Sequence, residues 1–218
     1  MASDDPISKF CSDDVDVHWD ARLCIHIGEC GRAQGELFVG GRKPWCQPDL
    51  VKADEVVEVT ERCPTGALTY IRKDGGTSEH SDQENVVVVS AHGPLYLRGD
   101  LDIDGAQAGM PGVRFRAALC RCGASRNKPF CDNAHEAKGF RDCGAVGERG
   151  EAATSTGGRL QVRRALGGPL LLQGNFSIIA GSGRVAWKGT KAALCRCGES
   201  KNRPFCDGSH REAGFQAD

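Results

Sequence analysis

Two groups of four residues in this chain have the types and spacing of a soft-metal ligand set. Cys195, Cys197, Cys206 and His210 follow the pattern C-x-C-x8-C-x3-H. Cys120, Cys122, Cys131 and His135, 75 residues earlier, follow it again. Three thiolates and one imidazole on a short loop suit zinc or an iron–sulfur cluster. A third group lies towards the N-terminus. Cys24 and Cys30 form C-x5-C, and Cys63 opens the stretch Cys63-Pro64-Thr65-Gly66-Ala67-Leu68.

Disulfides are the competing use for 12 Cys. The N-terminal Met1-Ala2-Ser3-Asp4-Asp5-Pro6 is acidic and has no apolar core, so no signal peptide is expected. The longest apolar runs, such as residues 86–89 and 170–172, are far too short to cross a bilayer. These features predict a soluble, cytoplasmic chain with no membrane partner. In that reducing setting cysteines serve metals. The C-x-C spacing agrees, because Cys one residue apart are badly placed to bond each other. A net charge of −1, with Lys and Arg dispersed, argues for no nucleic acid partner. No nucleophile–base set, phosphate loop or nucleotide fingerprint stands out, so the reading is not an enzyme.

The elements that must position these residues are short. Residues 14–19 alternate like a half-buried strand, and residues 68–71 read as a second one. Between them residues 53–62 read as a helix, with acidic residues early, Arg62 last and Pro64 as a stop. Residues 73–85 are polar and turn-rich, which marks a linker. Beyond it the 75-residue offset holds well upstream of the cysteines. Gly93-Pro94-Leu95-Tyr96-Leu97-Arg98-Gly99 matches Gly168-Pro169-Leu170-Leu171-Leu172-Gln173-Gly174, and Ala117-Ala118-Leu119 matches Ala192-Ala193-Leu194. Each repeat reads as short strands, a ligand loop and one helical turn, capped by Asp132 or Asp207 and ended by Gly139 or Gly214. The Gly-rich, acidic residues 142–158 separate the copies. Units this small cannot bury themselves, so the two repeats should pack on each other about a pseudo-two-fold, sharing one β sandwich. The expected fold class is α+β, with domains at 1–75, 86–142 and 159–218.

Two resemblances sharpen this. Cys24-x-His26-x-Gly28-x-Cys30, Lys43-Pro44-Trp45 and the Cys63-Pro64-Thr65-Gly66-Ala67-Leu68 stretch together resemble the divergent mono-cluster ferredoxin family over residues 10–73. In an ordinary four-iron loop the middle ligand would fall on Ile27, which cannot bind iron. Either a 3Fe–4S cluster sits on Cys24, Cys30 and Cys63, or a 4Fe–4S cluster takes a fourth ligand from His26, Cys46 or Cys11. Against those roles, His26 also reads as a loop hydrogen bonder, Cys46 as a packed thiol and Cys11 as a free one. The stretch from Cys195 to His210 is similar to the CDGSH iron–sulfur family, the mitoNEET-type proteins, and the likeness covers residues 86–216 as two domains. It implies a 2Fe–2S cluster on Cys120, Cys122, Cys131 and His135 and another on Cys195, Cys197, Cys206 and His210, with the two domains sharing a β cap as an internal pseudo-dimer. The first copy departs from the pattern, with Asn133 for Gly and Ala134 for Ser. Asn tolerates a left-handed backbone, so the loop can still form. Losing the Ser hydroxyl removes a hydrogen bond near the site, so the two clusters should differ in potential or lability. Cys143 matches no ligand. Lys128, Arg203, Arg121 and Arg196 read equally as cations tuning cluster charge or as solvated loop residues.

Charge counting gives the expected chemistry. An oxidised 2Fe–2S core with three thiolates and a neutral imidazole carries one unit less negative charge than an all-thiolate site, which should raise its potential. Two-His Rieske centres, at about −150 to +300 mV against about −400 mV for plant-type ferredoxins, show the direction. The imidazole is also a weak point, since protonation removes it from iron. Three clusters on one chain point to electron transfer with a redox partner protein. Cluster delivery to an apo-acceptor, or redox and pH sensing, is the second reading. A structural zinc-binding interaction module is the third.

Overall fold

The computed structural model describes residues 6–151 and 157–217; residues 1–5, 152–156 and 218 lie outside the described residues. Parts of the acidic N-terminal stretch and of the inter-repeat segment therefore fall outside them. The chain forms two sheets. The first is built from β1 (Ile7–Phe10), β2 (Val15–Asp20) and β3 (Leu68–Arg72), in the order β1-β2-β3 and antiparallel throughout. Helix α1 (Ala53–Glu61) lies between β2 and β3 in sequence and buries Val56, Val59 and Thr60, one face at i, i+3, i+4. Asp54 and Glu55 occupy its first turn, and Arg62 caps its C-terminus. Strand β1 was not foreseen: Ser8 and Lys9 are exposed, so its residues carry no alternating apolar signal.

The second sheet has seven strands drawn from both repeats. Those of the first are β4 (Val86–Val89), β5 (Leu95–Arg98), β6 (Leu101–Ile103) and β7 (Arg116–Leu119). Those of the second are β8 (Leu160–Arg164), β9 (Leu170–Ile179) and β10 (Val185–Leu194). The order is β6-β8-β9-β4-β5-β7, with β10 also on β9. Within the repeats Leu95 faces Leu119 and Leu170 faces Leu194, the same pair moved by the offset. Between the repeats Val87 faces Ile178 and Ile103 faces Val162, again related by the offset with the copies exchanged. Strands of one repeat thus complete the sheet of the other, and the inward-facing Val87, Leu97, Leu160, Val162 and Ile178 are almost fully buried in one core.

The copies diverge at one place. Where the second runs on as β10, the first has a 3-10 turn at Pro111–Arg114 before β7. Pro111 stands where the second copy has Ala186, and proline cannot donate to a strand ladder. The N-terminal unit docks on that turn. A Cβ on Gly66 would stand 2.4 Å from the Arg116 carbonyl oxygen, and one on Gly112 would stand 2.1 Å from the Gly66 carbonyl oxygen. Arg116, 1 % exposed, donates to the carbonyls of Thr60 and Cys63, both at 2.7 Å, and of Leu68 at 3.0 Å. Glu79 pairs with it at 2.8 Å. Burial pushes the Glu79 carboxyl up, against the pull of the guanidinium. Residues 73–85 are therefore more than a spacer. Asn85 is also buried, donating to Gly158 and Asn175 and accepting from Asp100.

The helical turn forms in the first copy as α2 (Ala134–Lys138), while residues 209–214 of the second make hydrogen-bonded turns without a helix. Gly139 and Gly214 end both in the left-handed conformation. The helix cap differs from expectation. Asp132 sits one residue before the left-handed Asn133 that starts α2, and accepts from Ala134 and Arg126 amides; Asp207 accepts from Ser209 and Lys201 amides. These are loop-closing bonds rather than a cap on a helix end. Among the described residues no helix is long and apolar enough to cross a membrane.

Two outcomes follow from this packing. Gly123→Ala should unfold the protein more readily than Gly41→Ala in urea titrations. Both positions are left-handed, which costs about 1–2 kcal/mol for Ala. Only at Gly123 would the new Cβ also meet backbone, the Cys197 carbonyl oxygen at 2.2 Å, whereas Gly41 faces open space. Equal losses would show that the approach of the two loops carries no weight. Arg116→Met should cost about 3–5 kcal/mol in the same titration, because it leaves Glu79 charged and buried alone. Adding Glu79→Gln should restore part of that loss, and no recovery would contradict the pairing.

Candidate metal centres

Each repeat's ligand loop is pinned at its base by the same two backbone bonds. The Cys120 amide donates to Pro129 and the Cys131 amide to Ala118, both at 2.8 Å. In the second copy Cys195 donates to Pro204 at 2.7 Å and Cys206 to Ala193 at 2.8 Å. Inside the loop the Ser125 hydroxyl donates to the Phe130 carbonyl and accepts from Asn127, and Ser200 repeats this on Phe205 and Asn202. Neither serine is a ligand; both hold the bend that brings the third cysteine back.

The loops arrange their four candidate ligands in pairs. Cys120 and Cys122 have sulfurs 3.8 Å apart, and Cys195 and Cys197 3.7 Å. Cys131 Sγ lies 3.4 Å from His135 Nδ1, and Cys206 Sγ 3.4 Å from His210 Nδ1. A tetrahedral ion with ligands at about 2.3 Å needs neighbouring sulfurs about 3.8 Å apart, so each pair has the spacing to share one ion. Among the described residues no three His, Cys, Asp or Glu converge on a single-ion site.

Charge at these sites is regulated by burial and by backbone donors. Amides of Ala124 and Asn133 point at Cys122 and Cys131 Sγ, each at 3.4 Å. Those of Gly198 and Glu199 point at Cys195 and Cys197 Sγ, at 3.3 and 3.4 Å. Burial nevertheless pushes the Cys131 thiol up to about 12 and Cys197 up to about 11. The hydrogen bond between Cys120 and Cys122 raises Cys120 and holds Cys122 down at about 6. Desolvation lowers His135, favouring the neutral ring that a metal requires. The Ser209 hydroxyl, which the first copy replaces with Ala134, donates to Asp207 at 2.7 Å and helps hold that carboxylate ionised.

Two of the loop cations are buried, and Lys128 and Arg203 are half-buried. Arg121 and Arg196 are each 1 % exposed. Arg121 donates to the Gly93 carbonyl at 3.0 Å and to Asp142 at 2.6 Å, over the Phe140 ring. Arg196 donates to the Gly168 and Ala165 carbonyls, over Phe215. Each aromatic ring also meets a cation from the other repeat: Arg203 lies over Phe140, and Lys128 over Phe215. Asp142 bonds both Arg121 and Arg203, so it ties the two loops together. Burial works against its charge, but the two guanidinium groups hold its carboxyl below the usual value. In the sequence Asp142 reads only as the start of a separator, because nothing in its neighbours signals a partner 61 residues away.

The N-terminal candidate ligands line a cavity of about 390 Å³. Cys24, Cys30 and Cys63 contribute to its wall, with His26, Thr65 and Trp45. Trp45 anchors the wall through ring contacts with Phe38, Phe10 and Trp19 at 5.2, 5.3 and 5.7 Å. Thr65 Oγ1 lies 3.4 Å from Cys63 Sγ, and burial pushes the Cys30 thiol up. The fourth-ligand candidates separate. His26 faces the cavity, left-handed at φ 55°, with Nδ1 4.0 Å from Cys24 Sγ. Cys46 is buried in the core with its thiol pushed up to about 12, and Cys11 is exposed; neither lines the cavity. Cys143 is exposed.

Comparison with known proteins matches this division. Residues 11–73 match the family described as divergent 4Fe-4S mono-cluster. Residues 92–136 and 167–211 each match the iron-binding zinc finger of CDGSH type. The uncharacterized protein YjdI of Escherichia coli strain K12 is 42 % identical over 64 residues, which is 29 % of this chain and 84 % of YjdI. The YjdI of Escherichia coli O157:H7 matches to the same extent. No solved structure matches. The chain is thus an iron–sulfur protein that belongs to the divergent mono-cluster family through its first third and carries two tandem CDGSH domains in the remainder.

Proposed function

We propose that this chain is an electron-transfer protein holding three iron–sulfur clusters. Cys120, Cys122, Cys131 and His135 hold one 2Fe–2S cluster, and Cys195, Cys197, Cys206 and His210 hold the other. Cys24, Cys30 and Cys63 hold a 3Fe–4S cluster, or a 4Fe–4S cluster with His26 as the fourth ligand. The observation that carries the reading is the pairing of ligands. Each loop brings one Cys–Cys pair and one Cys–His pair to the spacing at which each pair can hold one iron of a two-iron cluster. When bound, each cluster accepts and releases one electron. The protein's part is to hold the thiolates, aim amides at their sulfurs and, at His135, favour the neutral imidazole.

The domains in this reading are 1–75, 86–142 and 159–218. The two CDGSH domains form an internal pseudo-dimer, and the exchanged, offset-related register of β4 with β9 and β6 with β8 supports it. The chain works in the cytoplasm with a redox partner protein, without nucleic acid or membrane, as a carrier rather than an enzyme. A second reading, cluster delivery to an apo-acceptor or acid sensing, draws on His135 and His210. Both are only half-buried, so protons reach them.

Stepwise reduction followed by visible absorption and EPR should give reversible one-electron signals from three centres. Absence of such signals would overturn electron transfer. Acid should bleach the repeat sites at a pH below the one at which a free imidazole takes its proton, because the metal competes with the proton for the ring nitrogen and protonation releases it. His210→Cys should remove that acid step at the second repeat alone and slow transfer to an apo-ferredoxin. Unchanged acid bleaching and transfer would remove the role assigned to His210.

A further inference from the structure

Resting on the reading of the three ligand sets as metal centres, we propose that the first repeat's set is the middle one of three, and that Ile25 and Tyr96 couple it to the N-terminal set. Ile25 directly follows Cys24 in the chain. Its side chain is buried and packs with Cys131 and Ala118, and Tyr96 packs against the same group. One residue therefore joins a thiol of the N-terminal set to a thiol of the first repeat.

Around this junction the two sites share a cleft of about 460 Å³, with Ile25, His26 and Ile27 on one wall and Asn133, His135 and Glu136 on the other. The contact is held from outside. Arg116 of the first repeat grips the Cys63 carbonyl, and Gly66 meets Gly112 backbone to backbone. Lys191, which occupies the position of Arg116 in the second repeat, is exposed.

The first repeat meets the second through a different ligand. A Cβ on Gly123 would lie 2.2 Å from the Cys197 carbonyl oxygen, and one on Gly198 would lie 2.6 Å from the Cys122 carbonyl oxygen. The Cys131 side chain thus packs towards the N-terminal set, and the Cys122 backbone meets the second repeat. Two ligands of one set look towards two different neighbours, which makes this set the middle station.

The test uses the full chain with its metal loaded, after iron analysis and visible absorption have verified that all three sets are filled. A chain that binds no iron would defeat the cluster reading itself and would be seen at that stage. EPR spin relaxation of the two reduced repeat centres is then compared with the N-terminal centre in its two oxidation states, which differ in spin. His210→Cys, which changes only the second repeat's spectrum, tells the two signals apart. The change of N-terminal spin state should alter relaxation at the first repeat several-fold more than at the second. An equal effect on both, a larger effect on the second, or no effect would overturn the order. One electron injected by a photoreduced flavin should then pass from the N-terminal set to the first repeat, oxidising one by one electron and reducing the other by one, with no proton needed. Ile25→Ala and Tyr96→Ala should slow that step several-fold with iron content unchanged, whereas Tyr96→Phe should keep it. Unchanged rates in both alanine variants would remove the coupling role.

Discussion

Gathering three thiolates inside a small protein concentrates negative charge where water cannot screen it. Burial alone drives such groups to the neutral thiol, as at Cys131 and Cys197. Backbone amides aimed at the sulfurs offset part of the cost, and the left-handed Asn133, Gly123 and Gly198 give the loops the bends that present them. The remainder must come from a cation. Metal binding and the charge of these thiols are therefore coupled, and backbone bonds secure each loop at its base.

The duplicated unit meets that demand by sharing. Neither copy alone has strands enough to cover its apolar face, so β4 completes the sheet beside β9 and β6 beside β8. Phe140 and Phe215 extend the sharing, each lying under a cation of its own repeat and one of the other. The symmetry is broken where Pro111 ends the strand that the second copy continues. That break exposes the backbone on which the N-terminal unit rests, and Arg116 fastens it there. One substitution pattern thus turns a symmetric pair into a platform with one occupied side.

Much of the site was legible in the chain because ligand spacing is local. C-x-C-x8-C-x3-H specifies its own loop, and the offset that repeats it also predicted which strands would be equivalent. Strands β2 and β3 and helix α1 followed from alternation and end signals. What escaped was non-local or carried no periodic signal. Strand β1 is half polar, and nothing in Arg116, Glu79 or Asp142 announces a partner dozens of residues away. Arg121 and Arg196 sit between two cysteines each, which suggested a role towards the metal. Their guanidinium groups instead hold the carbonyls of a neighbouring turn, a use that only the folded chain reveals.

The pairing of ligands is the point on which the functional account stands, and metal stoichiometry tests it most directly. Iron, acid-labile sulfide and zinc should be measured on the full chain purified without oxygen. The account predicts a coloured protein with about two irons and two sulfides for each repeat and about three or four further irons for the N-terminal set. A colourless protein with about one zinc per repeat and no sulfide would contradict it.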